Sequence, residues 1–85
     1  MKYSLVVPKS VQKQLDKLPT EVYERIFKKV RQLAEDPRPL GSLKLKGKDS
    51  EYRIRIGDYR VRYKIDDGKK IVILSRCKHR KDVYE

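Results

Sequence analysis

The chain has 85 residues, enough for one domain with one modest hydrophobic core and too few for two. Its 38% apolar residues recur periodically, which favours a folded domain over disorder, and its single cysteine excludes an internal disulfide and suits a reducing compartment. The balance of 23 Lys and Arg against 12 Asp and Glu, a net charge of +11, predicts a polyanionic partner.

The first residues form a short apolar run that stops at Pro8, far short of a signal peptide or a membrane span. We therefore expect one cytoplasmic domain, 1–85, that does not associate with a membrane. The run itself, from Tyr3 to Val7, is rich in β-branched and aromatic residues and predicts a first strand.

Two amphipathic helices are predicted next. Apolar residues at helical spacing indicate a first helix from Lys9 to Leu18, which Pro19 ends. Thr20 is then a candidate N-cap for a second helix that should stop near Asp36, ahead of a proline. The short connection predicts a helical hairpin whose apolar face packs on a sheet.

The second half of the chain changes to the period of a strand. A loop with a short extended segment spans 36–47, and two alternating runs, 51–56 and 59–65, flank Gly57-Asp58, a sequence suited to a two-residue hairpin turn. After a second turn, 66–69, the run Ile71-Val72-Ile73-Leu74 is apolar throughout, which predicts a strand covered on both faces. The predicted fold class is α+β: an N-terminal strand and a two-helix hairpin, then a three- to four-stranded antiparallel sheet with the helices packed on one face.

The predicted hairpin carries a concentration of charge. A two-residue turn pairs Arg55 with Arg60 and Arg53 with Arg62, and like charges in directly opposed positions destabilise a sheet. A solvated outer face is the alternative interpretation for any one of these arginines. Four in opposed positions, each with a planar fork that fits phosphate, favour an anion-binding surface.

A second basic group lies near the C-terminus, where it surrounds one aromatic residue that suits stacking on a base. This combination is typical of single-stranded RNA binding, although a solvated basic tail has the same composition. Within it, His79 is the natural proton shuttle because its ordinary pKa lies near neutrality, or else simply a polar residue. The members of the group are Arg76, Lys78, His79, Arg80, Lys81 and Tyr84.

The chain resembles the RelE/ParE superfamily of toxins from toxin–antitoxin modules. The resemblance covers nearly the whole chain, and two segments carry it: Tyr52-Arg53-Ile54-Arg55-Ile56-Gly57-Asp58-Tyr59-Arg60-Val61-Arg62-Tyr63, and Lys78-His79-Arg80-Lys81-Asp82-Val83-Tyr84. It implies a ribosome-dependent mRNA interferase that cuts mRNA in the A site and needs neither cofactor nor metal. It also implies a RelB-like antitoxin as cognate partner, with operon DNA contacted only indirectly through the toxin–antitoxin complex.

The resemblance also implies roles for particular residues. Candidate catalytic residues are Arg53, Arg55, Arg60, His79, Arg80 and Tyr84. Candidate contacts to RNA and the ribosome are Lys44, Lys46, Arg62, Arg76, Lys78 and Lys81. Attack of a 2′-hydroxyl on its own phosphate requires positive charge, a base and an acid, and arginine supplies only the charge because it stays protonated. Proton transfer then falls to Tyr84, to His79, or to the ribosome and water.

Two other functions fit the same residues. A ParE-like toxin would inhibit DNA gyrase by binding, without nucleolytic chemistry. A plain RNA- or DNA-binding module would use the arginines only to hold the backbone, with affinity that falls steeply as salt rises.

Overall fold

The computed structural model describes residues 2–47 and 50–82. Five strands and two helices follow one another in the order β1 (Ser4–Val6), α1 (Lys9–Asp16), α2 (Thr20–Leu33), β2 (Leu43–Lys44), β3 (Glu51–Ile56), β4 (Tyr59–Asp66) and β5 (Ile71–His79), and a 3₁₀ turn, Arg80–Asp82, follows β5. Neither described helix is long and apolar enough to cross a membrane. The α+β class is confirmed.

Both helices lie where the apolar spacing predicted them, although α1 ends at Asp16, two residues before the predicted end at Leu18. The predicted N-cap at Thr20 is wrong by one residue: Pro19, in an extended conformation, occupies the cap position without a side-chain hydrogen bond, and Thr20 is already helical. The helix ends at Leu33, but the amides of Glu35 and Asp36 both donate to the carbonyl oxygen of Gln32, so a turn continues to the predicted end.

The sheet has the strand order β1-β5-β4-β3-β2. The pairs from β2 to β5 are antiparallel, as predicted, whereas β1 runs parallel to β5, with Leu5 opposite Val72. The predicted antiparallel sheet of three to four strands is confirmed for β2 to β5, and the parallel pairing of the N-terminal strand with β5 is a feature that the sequence did not predict. The sheet of the described residues is thus mixed, with one parallel pair beside three antiparallel pairs.

The core lies between the helices and one face of the sheet. Val11 and Leu15 of α1 and Ile26 of α2 are among the side chains buried there against Val61 and Val72. Ile71 and Ile73 point to the opposite face and are only half-buried. The expectation that this strand is covered on both faces is wrong, because the two helices pack on the same side.

The β3–β4 hairpin has the predicted register. Ile56 pairs with Tyr59, so Gly57 and Asp58 form a two-residue turn in which Gly57 has φ +58°. That conformation favours glycine at the first turn position. An added Cβ there would also lie 3.4 Å from Nη1 of Arg25.

Polar contacts hold the loop between α2 and β2 against the far end of the sheet. Arg38 Nη2 lies 2.8 Å from Asp67 Oδ2, and Arg38 Nε donates to the hydroxyl of Tyr52 at 3.0 Å. Tyr3 donates its hydroxyl to Asp67 Oδ1 at 2.7 Å. The hydrogen bond from Arg38, followed by that from Tyr3, lowers the pKa of Asp67 to about 2.

Candidate nucleic-acid interface

The two opposed arginine pairs predicted for the hairpin are present. Arg53 lies opposite Arg62, and Arg55 lies opposite Arg60, on the face of the sheet that the helices leave open. On the other face, Ile54 opposite Val61 belongs to the core. The same two-residue turn and alternation that place apolar residues inside therefore place the arginines outside.

The third strand extends both pairs into rows. On β5, Lys78 lies opposite Arg60 and Arg76 lies opposite Arg62. The first row is thus Arg55–Arg60–Lys78 and the second is Arg53–Arg62–Arg76. We call these six side chains the arginine face. Adjacent strands are about 4.8 Å apart and alternate residues about 6.7 Å apart, so the face measures roughly 10 by 7 Å across its Cα positions.

Sequence reasoning missed this continuity by treating 76–81 as part of a separate basic segment. Strand β5 instead runs as far as His79, with a register irregularity opposite Arg62 and Tyr63. The signal was present in the alternation of Arg76, buried Cys77 and Lys78. Cysteine behaves as a small apolar residue when it is buried, so these three positions continue the period of a strand.

The charge of the arginine face is largely uncompensated. Among the described residues, one carboxylate oxygen lies within 4 Å of a charged nitrogen of these six side chains. It is Glu51 Oε1, 3.3 Å from Arg62 Nη2. Glu51 therefore neutralises part of the charge at Arg62. Glu51 begins β3, and its partner across the strands is Lys64, so it reaches diagonally to the next row.

Two buried nitrogen atoms of the arginine face also lack hydrogen-bond acceptors. Arg60 Nε and Arg62 Nε are both shielded from solvent, and neither has a hydrogen-bond acceptor among the described residues. A buried donor without an acceptor is costly, and a guanidinium more so than a neutral group. A bound phosphate offers acceptor oxygens in the geometry that the guanidinium fork fits.

His79 does not lie on the arginine face. It is opposite Tyr59 in the register and alternates with Lys78, and its ring meets the Tyr59 ring edge-on at 5.0 Å between centroids. It borders a cleft against the end of α1 that Leu18 also lines. Its Nδ1 accepts a hydrogen bond from the amide of Lys81 at 3.1 Å. The strand alternation therefore separates His79 from the arginines with which it was grouped.

Arg80 lies at the hairpin end of the sheet. Its amide donates to the carbonyl oxygen of Asp58 at 2.7 Å, and its Nε is 3.8 Å from Asp58 Oδ1. Its side chain is 59% exposed, and Lys81 beside it is exposed too. Both continue the basic surface past the row that ends in Lys78. Tyr84 lies outside the described residues.

Lys44 and Lys46, the two lysines that precede β3 among the candidate RNA contacts, do not lie on the arginine face. In the register of β2, Leu43 lies opposite Arg53 and Lys44 lies opposite Tyr52, which packs toward the core. Lys44 thus projects from the helix-bearing side of the sheet, and Lys46 is exposed in the following turn. The half-exposed Leu43 adjoins the second row instead.

No group of three or more His, Cys, Asp or Glu side chains that could hold a metal ion occurs in the parts of the chain that the structure describes, 2–47 and 50–82. The chemistry that the arginines themselves offer is electrostatic, because a guanidinium stays protonated. Fixed guanidinium groups can bind a phosphate and stabilise the extra negative charge of a pentacoordinate phosphorus.

Known proteins share this fold and sequence. The family model described as ParE toxin of the type II toxin–antitoxin system parDE matches residues 5–84. A curated homologue named RelE1 from Methanocaldococcus jannaschii is 31% identical over 88 residues, which cover 100% of this chain and 98% of the relative.

Solved structures agree. A chain of the archaeal RelE–RelB complex from Pyrococcus horikoshii superposes with a TM-score of 0.86 at 32% identity, covering 98% of this chain and 100% of that one. A double mutant of the E. coli toxin RelE in the free state gives a TM-score of 0.81 at 28% identity, covering 98% of this chain and 88% of that one. The protein therefore belongs to the RelE/ParE family and is a toxin of a RelE-type toxin–antitoxin system.

Proposed function

We propose that this toxin is a ribosome-dependent endoribonuclease that cleaves mRNA in the A site and so inhibits translation. The observation that carries the proposal is the arginine face: two cross-strand rows of cations with one carboxylate partner among the described residues, and two buried guanidinium nitrogens without an acceptor. A structural role would favour neutralised charges, whereas a phosphate supplies both the charge and the acceptors that these groups lack.

The chemistry is attack of a ribose 2′-oxygen on the adjacent phosphorus, which leaves a cyclic phosphate on one fragment and a 5′-hydroxyl on the other. Arg60 stands in the middle of the first row, between cations on both sides, and stabilises the phosphorane. Its neighbour Arg55 adds charge on the same row. Tyr84 is the candidate that orients or deprotonates the 2′-hydroxyl, since His79 lies across the sheet.

The proposed partners follow from the charge and from the relatives. Solved relatives from Pyrococcus horikoshii and E. coli are RelE–RelB and RelBE toxin–antitoxin complexes. A RelB-like antitoxin is accordingly the cognate partner of this chain, and mRNA with ribosomal RNA is the polyanion that its net charge of +11 attracts in the cytoplasm.

A second candidate function is inhibition of DNA gyrase, which the description of the matching family model as a ParE toxin favours. Such a toxin acts by binding, so it has no need of residues that stabilise a phosphorane. Assays of the two activities on the same preparation separate the candidates.

The test is to add the protein to ribosomes programmed with mRNA and to map the new 5′ ends of the downstream fragments by primer extension, beside a gyrase supercoiling assay. We expect cuts within the A-site codon and unchanged supercoiling. Arg60→Met should abolish the cuts, and Lys13→Met, which removes one exposed charge on α1 far from the arginine face, should leave them. Intact mRNA together with inhibited supercoiling would overturn the proposal and would identify the protein as a gyrase inhibitor.

Proton transfer by Tyr84 has its own test. Tyr84→Phe keeps the ring for stacking on a base and removes the hydroxyl. We expect the variant to bind programmed ribosomes as the wild type does and to cut slowly; cleavage at the normal rate would remove Tyr84 from proton transfer.

A further inference from the structure

The two rows of the arginine face are built alike. Each has one cation on β3, an arginine at its centre on β4 and one cation on β5. Both central residues, Arg60 and Arg62, are half-buried and carry a shielded Nε without an acceptor among the described residues. Alternate residues of a strand are about 6.7 Å apart, so two similar phosphate sites lie side by side on one sheet.

Glu51 makes the two rows different. It begins β3 opposite Lys64, and its Oε1 lies 3.3 Å from Nη2 of Arg62. The Glu51 side chain is 15% exposed, so little water screens the charge of its carboxylate. Within residues 2–47 and 50–82, Arg60 has no carboxylate partner of this kind.

The Glu51 carboxylate occupies only part of the Arg62 guanidinium. The guanidinium fork fits two oxygens of a phosphate through two of its nitrogens. Glu51 accepts from Nη2 and leaves Nε without a partner among the described residues, because it reaches Arg62 diagonally from the end of the next strand. Arg62 therefore keeps a free donor for phosphate, but a phosphate that approaches it meets a negative charge that the sheet already holds there. Like charges repel at this distance, so Glu51 lowers the affinity of the second row for phosphate.

We propose that Glu51 is a positioning residue that excludes phosphate from the second row and so directs the RNA backbone to Arg60. The inference rests on the proposed function, in which Arg60 stabilises the phosphorane. A backbone that also occupies Arg62 follows a different path over the face, displaced by as much as one row. Misplacement of reacting groups by about 1 Å already costs roughly 10²-fold in rate. Repulsion of the wrong binding mode is a general route to specificity.

The competing role for Glu51 is that of an ion pair that only stabilises the fold. Glu51→Gln keeps the shape of the side chain and removes its charge. Glu51→Gln combined with Arg62→Met also removes the competing phosphate site. The matched control is Glu24→Gln, which raises the net charge equally at an exposed position of α2, on the other side of the sheet. Thermal unfolding checks that each variant is folded at the temperature of the assays.

The first measurement is binding of a short single-stranded RNA with methylated 2′-hydroxyls, which cannot be cut, over a range of salt concentrations. Each phosphate contact contributes about −0.7 to the slope of log affinity against log salt. Neighbouring phosphates of a single strand are spaced closely enough to occupy both rows, so Glu51→Gln should steepen the slope by about 0.7. Its affinity should then fall roughly 2.5-fold more than that of the wild type between 50 and 200 mM salt. The double variant and Glu24→Gln should keep the wild-type slope.

The second measurement is the kinetics of mRNA cleavage on programmed ribosomes. Binding along the wrong path lowers kcat and KM by the same factor and leaves kcat/KM unchanged, because that ratio compares the free enzyme with the transition state. Rows of equal affinity would divide the bound RNA evenly, so both constants should fall about twofold or more in Glu51→Gln. The double variant should have a higher kcat than Glu51→Gln alone, a recovery that loss of an ion pair does not produce.

Three outcomes decide between the roles. A Glu51→Gln variant with the wild-type salt slope would overturn the inference. A lower kcat at unchanged KM would overturn it too, since that result identifies a loss of transition-state stabilisation instead of a second binding mode. A steeper slope for Glu51→Gln, in a protein whose wild type cuts no mRNA, would overturn the proposed function and leave the exclusion of phosphate from Arg62 standing.

Discussion

Replacement of Arg60 by methionine should make the protein more stable while it abolishes RNA cleavage. Arg60 faces Arg55 on one side and Lys78 on the other, and each like-charged cross-strand pair destabilises a sheet by about 0.2 to 1 kcal/mol. Its buried Nε, without an acceptor among the described residues, adds a desolvation cost of about 1 to 3 kcal/mol. Methionine keeps an unbranched stem of similar length and has neither the charge nor the buried donor.

The Arg60 side chain is half-exposed, and solvent screens part of the repulsion. We therefore expect the gain in stability to lie near the lower limits of these two contributions. The free energy of unfolding should rise by about 1 to 2 kcal/mol, and the melting temperature by about 4 to 8 °C for each kcal/mol in a domain of this size. Urea unfolding followed by circular dichroism measures the change, with an unaltered slope against denaturant.

The matched control is Lys13→Met, which lowers the net charge equally at an exposed position of α1 and should change stability by no more than about 0.5 kcal/mol. The stability gain of Arg60→Met should shrink between 20 mM and 500 mM salt, since the repulsive part is screened. A variant no more stable than the wild type at low salt would refute the view that the arginine face is strained when empty.

Three further predictions concern the scaffold. Because Arg38 holds the pKa of Asp67 at about 2, below its ordinary 3.8, the stabilising contribution of that carboxylate is present above pH 4 and disappears as pH falls from about 4 to 2. Thermal melts should therefore show Asp67→Asn less stable than wild type at pH 6 and equal to it near pH 2; a difference independent of pH would contradict this. Tyr63→Phe removes a buried hydrogen bond of 2.7 Å to the carbonyl oxygen of Pro37, so the free energy of unfolding in urea should fall by about 1 to 3 kcal/mol. An unchanged free energy of unfolding would mean that solvent reaches that carbonyl. Burial raises the pKa of Cys77 to about 11, so a thiol reagent at pH 8 should modify it only after denaturation, and rapid labelling of the native protein would show the strand to be open.

The sequence predicted those parts of the fold that depend on neighbours along the chain. Gly57-Asp58 and the alternation around it determine the β3–β4 register, because a two-residue turn and a period of two leave one way to bury Ile54 opposite Val61. The pairing of β1 with β5 has no such signal. Leu5 and Val72 are 67 residues apart, and nothing in either segment specifies a parallel partner.

The candidate site was predictable to the same degree. The arginine pairs within the hairpin follow from local pattern, whereas their continuation through Arg76 and Lys78 depends on where β5 meets β4 after a register irregularity. The separation of His79 from Lys78 depends on one step of alternation. Reading the segment as a basic tail loses that distinction, because composition carries no information about faces.

The two faces of the central strands divide the requirements of folding and of chemistry. One face holds the core and tolerates little change. The other keeps a set of charges together at a cost that, within residues 2–47 and 50–82, Glu51 offsets at Arg62 alone. Charge of this kind attracts a nucleic acid and a ribosome, and it would equally suit a toxin that acts by binding alone. The total charge of the arginine face therefore does not distinguish the two activities described for this superfamily. The reaction itself does: an enzyme that stabilises a phosphorane cuts mRNA on programmed ribosomes, whereas a toxin that acts by binding alone leaves that mRNA intact.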